Sequence, residues 1–349
     1  MSQGGGQGGY LAYGARGLAK LIESLGPDTA LTKESLLSLN GLLSNQETKL
    51  AAITHQAPPL VPELVVLLAS PEEEIQRLAA TTLGSLQLVY QGRVAAQQAG
   101  AVAALEGRLS ESVPVAAAAG EALQALSQSR DGCQVLMECA TLMTTLTHSL
   151  TGAAPVVRPC VGTLANLLRL DLGVKDVLAA GIVPALHQII STARRSSDEL
   201  RNALQALWNL SNTHDGKVAA VAEGVLPTLS KKVEAGTDEV KRLAAGCIMA
   251  LAINKEGKIA SDVCVVPLLE LALANSRSHG NTNTLKDAVL ALKAAAEYPP
   301  TRKLIEKYAR SINKDPARII SEISTPMFDS EPWPGSLRYV NQWKAEEVA

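Results

Sequence analysis

A period of about forty-one residues runs through most of this 349-residue chain, and no other feature of the sequence restricts its fold as much. One marker is a short apolar entry, with Pro at its second place in four of six copies: Val61-Pro62, Val102-Ala103, Leu142-Met143, Val183-Pro184, Leu226-Pro227 and Val266-Pro267. A second is a Gly in a polar turn, at Gly92, Gly132, Gly173, Gly216 and Gly257, with Pro300 taking that place afterwards. A third is an Ala/Leu-rich helix with an anchor at Leu83, Leu123, Leu164, Leu207, Ile248 and Leu292. Three markers keep one step of 40 to 44 residues, which chance does not produce.

Each unit reads as three helices. In one copy a short helix covers Lys217–Ala222, a Glu223-Gly224 turn leads to Pro227 at the start of a second helix to Glu234, and the third helix runs Asp238–Ala252. Ser70-Pro71-Glu72-Glu73 and Ser196-Ser197-Asp198-Glu199 read as capping boxes, and Pro114 and Pro155 as starts of third helices. Pro159, one turn into its helix, predicts a local kink. Tyr13 to Ile53 fits a shortened first repeat, and the polar stretch Asn275–Thr284 reads as a mobile loop. The predicted organisation is a Gly-rich disordered start (1–11), one continuous solenoid of about seven repeats (12–310) and an extended tail (311–349).

Composition agrees with close-packed helices. Hydrophobic residues make up 47% of the chain but aromatics only 3%, so Leu, Val, Ile and Ala must fill the core. A net charge of −2, from 32 basic and 34 acidic residues, argues against a nucleic-acid or anionic-membrane partner. Five cysteines without a C-x-x-C pair read as reduced thiols. Cys133, Cys139 and Cys160 lack metal-ligand spacing, and the five histidines are scattered. No signal peptide, membrane span or phosphate loop is expected, and neither a cofactor nor a small-molecule substrate.

The copies Gly181-Ile182-Val183-Pro184-Ala185-Leu186 with Ala206-Leu207-Trp208-Asn209-Leu210-Ser211, and Gly224-Val225-Leu226-Pro227-Thr228-Leu229, resemble armadillo repeats. That resemblance implies an all-α, right-handed superhelical solenoid whose third helices line a peptide-holding concave groove. A narrower similarity is carried by Ala12-Tyr13-Gly14 with Leu18-x-Lys20-Leu21, by Glu239-Val240-Lys241 through Gly246, by Glu256-Gly257-Lys258 and by Thr301-Arg302-Lys303-Leu304. These resemble the armadillo-repeat radial spoke proteins of motile cilia. The resemblance implies a non-catalytic scaffold that binds other radial spoke subunits in the cytoskeleton of a ciliary or flagellar axoneme. The alternative is a soluble armadillo adaptor or transport receptor that binds cargo peptides reversibly.

Candidate binding residues follow from the same register. Six residues before each anchor stand Arg77, Ala117, Arg158, Arg201, Arg242 and Lys286. Two readings stand: a cationic ladder that meets an acidic or backbone-rich segment, or arginines that brace adjacent repeats. Asn166 and Asn209, two residues after their anchors, each offer an amide donor and acceptor; in the resembled repeats an Asn here holds the main chain of a bound peptide. Trp208 reads as an interface anchor or as a packed core residue, and with Asn212 it makes a single Trp-x-x-x-Asn pair. In the tail, Phe328, Trp333, Tyr339 and Trp343 stand among four prolines, too aromatic for plain disorder. They suit docking on a partner or on the last repeat.

Overall fold

The computed structural model describes residues 14–55, 57–278 and 282–319, and among them every regular element is a helix. The shortened first repeat holds α1 (Gly14–Glu23) and α2 (Thr29–Leu42). Triplets follow: α3 (Gln46–Thr54), α4 (Leu60–Leu67) and α5 (Glu73–Gln87); α6 (Tyr90–Gln98), α7 (Ala101–Arg108) and α8 (Val113–Ser127); α9 (Arg130–Leu136), α10 (Leu142–Ser149) and α11 (Ala154–Leu168). The next three are α12 (Val174–Ala179), α13 (Ile182–Thr192) and α14 (Asp198–Ser211); α15 (His214–Glu223), α16 (Leu226–Ala235) and α17 (Asp238–Leu251); α18 (Lys255–Ala260), α19 (Val265–Ser278) and α20 (Thr282–Ala296). The helix α21 (Pro299–Ser311) comes last. No described helix is long and apolar enough to cross a membrane.

The chain divides after Leu167 into two compact units. In the first, the third helices α2, α5 and α8 stack in series, with α5 against α8 the most extensive pairing; in the second, α14, α17 and α20 stack likewise. All six anchor residues, from Leu83 to Leu292, are completely buried. Small residues set the helix spacing. A Cβ at Gly84 would stand 3.2 Å from the Ala122 Cα, and one at Gly120 would stand 2.9 Å from the Pro159 ring. That contact gives Pro159 a packing role inside α11, which continues unbroken through it.

Four of the recurring glycines lie inside helices rather than in turns. Gly92, Gly132, Gly216 and Gly257 are the third residues of α6, α9, α15 and α18. A Cβ on them would lie 1.9, 1.8, 2.1 and 1.9 Å from the carbonyl oxygens of Leu86, Leu126, Leu210 and Leu251. Only hydrogen fits, so each first helix leaves its third helix at a very close approach. In three copies a cap side chain closes the same turn: Ser129, Thr213 and Asn254 accept from the glycine N–H at 3.1, 3.2 and 3.1 Å. Gly173 is different, because it takes φ +65° as the N-cap of the short helix α12.

Other details shift from expectation by a residue or two. Pro62, Pro184, Pro227 and Pro267 fall at the second or third helical position, still inside the first turn, where a missing N–H costs nothing. Ser70 accepts from the Glu72 N–H at 3.2 Å in a turn that precedes α5, which leaves Pro71 outside the helix. Ser197, not Ser196, caps α14, accepting from the Leu200 N–H at 3.2 Å. The stretch read as a loop at 275–284 is largely helical: α19 extends to Ser278 and α20 begins at Thr282, with only 279–281 outside the described residues. Beyond Ser311 the described chain turns back, with a helical turn at 316–319 and Ile319 fully buried.

Candidate partner-binding surface

The candidate surface is the outward face of the third helices, and each unit has its own. In the second unit α14, α17 and α20 carry it. Trp208 on α14 is half-buried because α17 presents Gly246 beneath it; a Cβ there would meet the indole ring at 2.6 Å. The Arg242 guanidinium lies over the same ring, 5.9 Å from its centre. Arg242 also reaches Asp287 on α20 at 3.7 Å. Burial raises the Asp287 carboxyl above its ordinary range, opposed by the charges of Arg242 and Lys286. Lys286 itself is exposed. Trp208, Arg242 and Asp287 thus tie three successive repeats together.

Arg201 completes the set. It pairs with Asp198 one turn earlier and with Glu239 of the next repeat at 3.4 Å. Asn209 is buried and accepts from the Gln205 amide at 3.0 Å. Asn212 is the exposed C-cap of α14, and its carbonyl accepts from Lys217 at 3.3 Å.

The first unit shows the same habit. Arg77 makes a two-pronged bond to Glu74 of its own helix at 2.8 and 2.9 Å. Arg158 pairs with Glu121 of the preceding repeat. Asn166 donates to the Ser127 hydroxyl at 2.9 Å, again one repeat back.

Every arginine of the column therefore has a carboxylate partner, and for Arg158, Arg201 and Arg242 one partner belongs to a neighbouring repeat. The surface is a string of neutralised pairs around one half-open indole. Its partly open groups are the Asn166 amide in the first unit and the Trp208 indole in the second, while Asn209 is buried. The partners Glu121, Asp198, Glu239 and Asp287 escape a reading based on the basic column alone. For Asp198 and Glu239 the signal is the acidic first turn of α14 and α17; Glu121 and Asp287 lie inside α8 and α20 and have no such signal. Phe328, Trp333, Tyr339 and Trp343 lie outside the described residues. Among the described residues no cluster of three His, Cys, Asp or Glu side chains could hold a metal ion.

No protein-family model matches the chain. Among curated proteins it is similar to U-box domain-containing protein 8 of Arabidopsis thaliana, 27% identical over 143 residues, which is 41% of this chain and 37% of that protein. Among solved structures it is similar to a designed armadillo repeat protein, with a TM-score of 0.59 and 22% identity over 67% of this chain and 99% of the other. A second designed armadillo repeat protein, solved in complex with the peptide (KR)4, gives 0.59 and 23% over the same shares. Likeness at this identity is likeness of fold: the chain is an all-helical array of armadillo-type repeats.

Proposed function

We propose that this chain is a non-catalytic scaffold subunit of the axonemal radial spoke, which holds other spoke proteins and so supports ciliary or flagellar motility. The residues Ala12-Tyr13-Gly14, Leu18-x-Lys20-Leu21 and Thr301-Arg302-Lys303-Leu304 support the assignment to the spoke. The observation that carries the scaffold reading is the third-helix surface of the second unit, where Trp208 lies half-open between Gly246 and Arg242. A surface whose arginines are already paired suits a lasting contact with main chain and apolar side chains. The peptide-bound designed armadillo protein shares the fold, and peptide holding by this surface is inferred from it. The aromatic tail residues Phe328, Trp333, Tyr339 and Trp343 supply a second contact in this proposal.

The test is fractionation of motile cilia. The protein should resist detergent extraction, remain with the axoneme and leave it only with other spoke subunits at high salt. Variants Trp208→Ala and Asn212→Ala should be incorporated less, and removal of residues 320–349 should move the protein to the soluble fraction. Complete release by detergent alone would favour the alternative, a soluble armadillo adaptor with exchangeable cargo.

A further inference from the structure

A second recognition site lies away from the third helices. In the first unit, α6 and α9 are first helices of successive repeats, and between them is a pocket of about 170 Å3. It is smaller than the roughly 300–1,000 Å3 of clefts for drug-sized ligands, and close to a cavity of about 150 Å3 that holds one benzene ring. Its capacity is one side chain.

The walls are amphipathic. Tyr90, Val94 and Val135 line the apolar side, and Tyr90 is 61% exposed with Leu88 also exposed beside it in sequence. Arg93, Asp131, Gln97 and Glu138 line the polar side. Arg93 is committed. Its Nε donates to Asp131 at 2.6 Å, its Nη1 donates to the Gln87 and Leu88 carbonyls at the end of α5, and its guanidinium sits 5.8 Å from the Tyr90 ring centre. Glu138 is exposed and receives only the neutral amide of Gln97. Two carboxylates against one engaged guanidinium leave the pocket one negative charge in excess.

We propose that this pocket receives a single arginine or lysine side chain from a partner protein, its methylene stem along Tyr90, Val94 and Val135 and its cationic head at Glu138. The charge excess selects the head, and the apolar wall selects a long stem. This site does not depend on the third-helix surface or on the spoke assignment, and its test is separate from theirs.

The probe is blocked arginine (N-acetyl-arginine methylamide) titrated into the full chain carrying labelled valine and leucine methyl groups. Saturable shifts are expected at Val94 and Val135, with blocked norleucine several-fold weaker and blocked glutamate without effect. Glu138→Gln should weaken arginine binding about fivefold, the contribution of one exposed ion pair. Tyr90→Ser should weaken arginine and norleucine alike. Both residues are exposed, and unchanged circular dichroism confirms that each variant folds. No saturable shift at Val94 and Val135, equal binding of glutamate, or undiminished binding in Glu138→Gln would each overturn the proposal.

Discussion

Two kinds of glycine predict opposite effects of the same substitution. Gly216→Ala puts a methyl group 2.1 Å from the Leu210 carbonyl oxygen, against backbone that cannot yield cheaply. It should cost about 2 kcal/mol or more, read as a lower urea midpoint at unchanged slope. Gly107→Ala meets nothing within 4 Å on α7 and should stabilise by about 0.5–1 kcal/mol, the ordinary helix preference of Ala. Cysteines give a second test at this scale. Burial pushes the Cys160 and Cys264 thiols up to about 12 from an ordinary 9.0, and raises Cys247 as well. A raised folded pKa adds stability that is full below the unfolded value and is lost as pH rises through the folded one. Stability should therefore fall above about pH 9, and the double variant Cys160→Ala, Cys264→Ala should show a shallower fall in thermal midpoint across that range. At neutral pH these buried thiols stay protonated, and a thiol reagent should label them only after denaturation.

Between helices, the paired arginines can be ranked by where their partner sits. Arg242 and Asp287 join α17 to α20 with side chains 28% and 13% exposed, whereas Arg77 and Glu74 share one helix at 33% and 37%. A double-mutant cycle should give a coupling of about 1 kcal/mol for the first pair and under about 0.5 kcal/mol for the second. Equal coupling would show that the ties between repeats add nothing beyond local helix chemistry. The sequence made the helices, their order and the buried anchors legible, because Pro, Gly and Leu recur in one phase. It left cap positions open by a residue, since Ser196 and Ser197, or Ser70 and Glu72, compete for one turn and only the packed helix start selects between them. The acidic partners were illegible for another reason. Asp198 and Glu239 follow the 41-residue step, but Asp287 does not, so periodicity alone could not pair it with Arg242. Asn166 and Asn209 were visible as positions, but their partners Ser127 and Gln205 emerge only from the packing.

At the scale of the molecule, stacked repeats touch mainly their neighbours, so damage should remain near its source. Leu123→Ala empties a fully buried site on α8 and should cost about 2–5 kcal/mol locally. Hydrogen exchange should rise across α5 and α8 while the amides of α16, α17 and α20 keep their protection. A uniform rise over both units would show that the array unfolds as one cooperative block. The division after Leu167 gives the same expectation, because each unit contains its own run of buried anchors: Leu83, Leu123 and Leu164 in one, Leu207, Ile248 and Leu292 in the other.

The glycine contact also governs how such an array can change length. From Leu86, Leu126, Leu210 and Leu251 to the glycine each one meets is always six residues, although the repeats themselves vary from 40 to 44. That short span acts as a phase mark. Inserted residues cannot enter it without driving a side chain into a carbonyl, so they gather elsewhere, as between α13 and α14, where Ala193 to Ser197 separates the helices. A unit transplanted from another array would stay in frame if the junctions fell between second and third helices, and would lose its register if they fell between a leucine and its glycine.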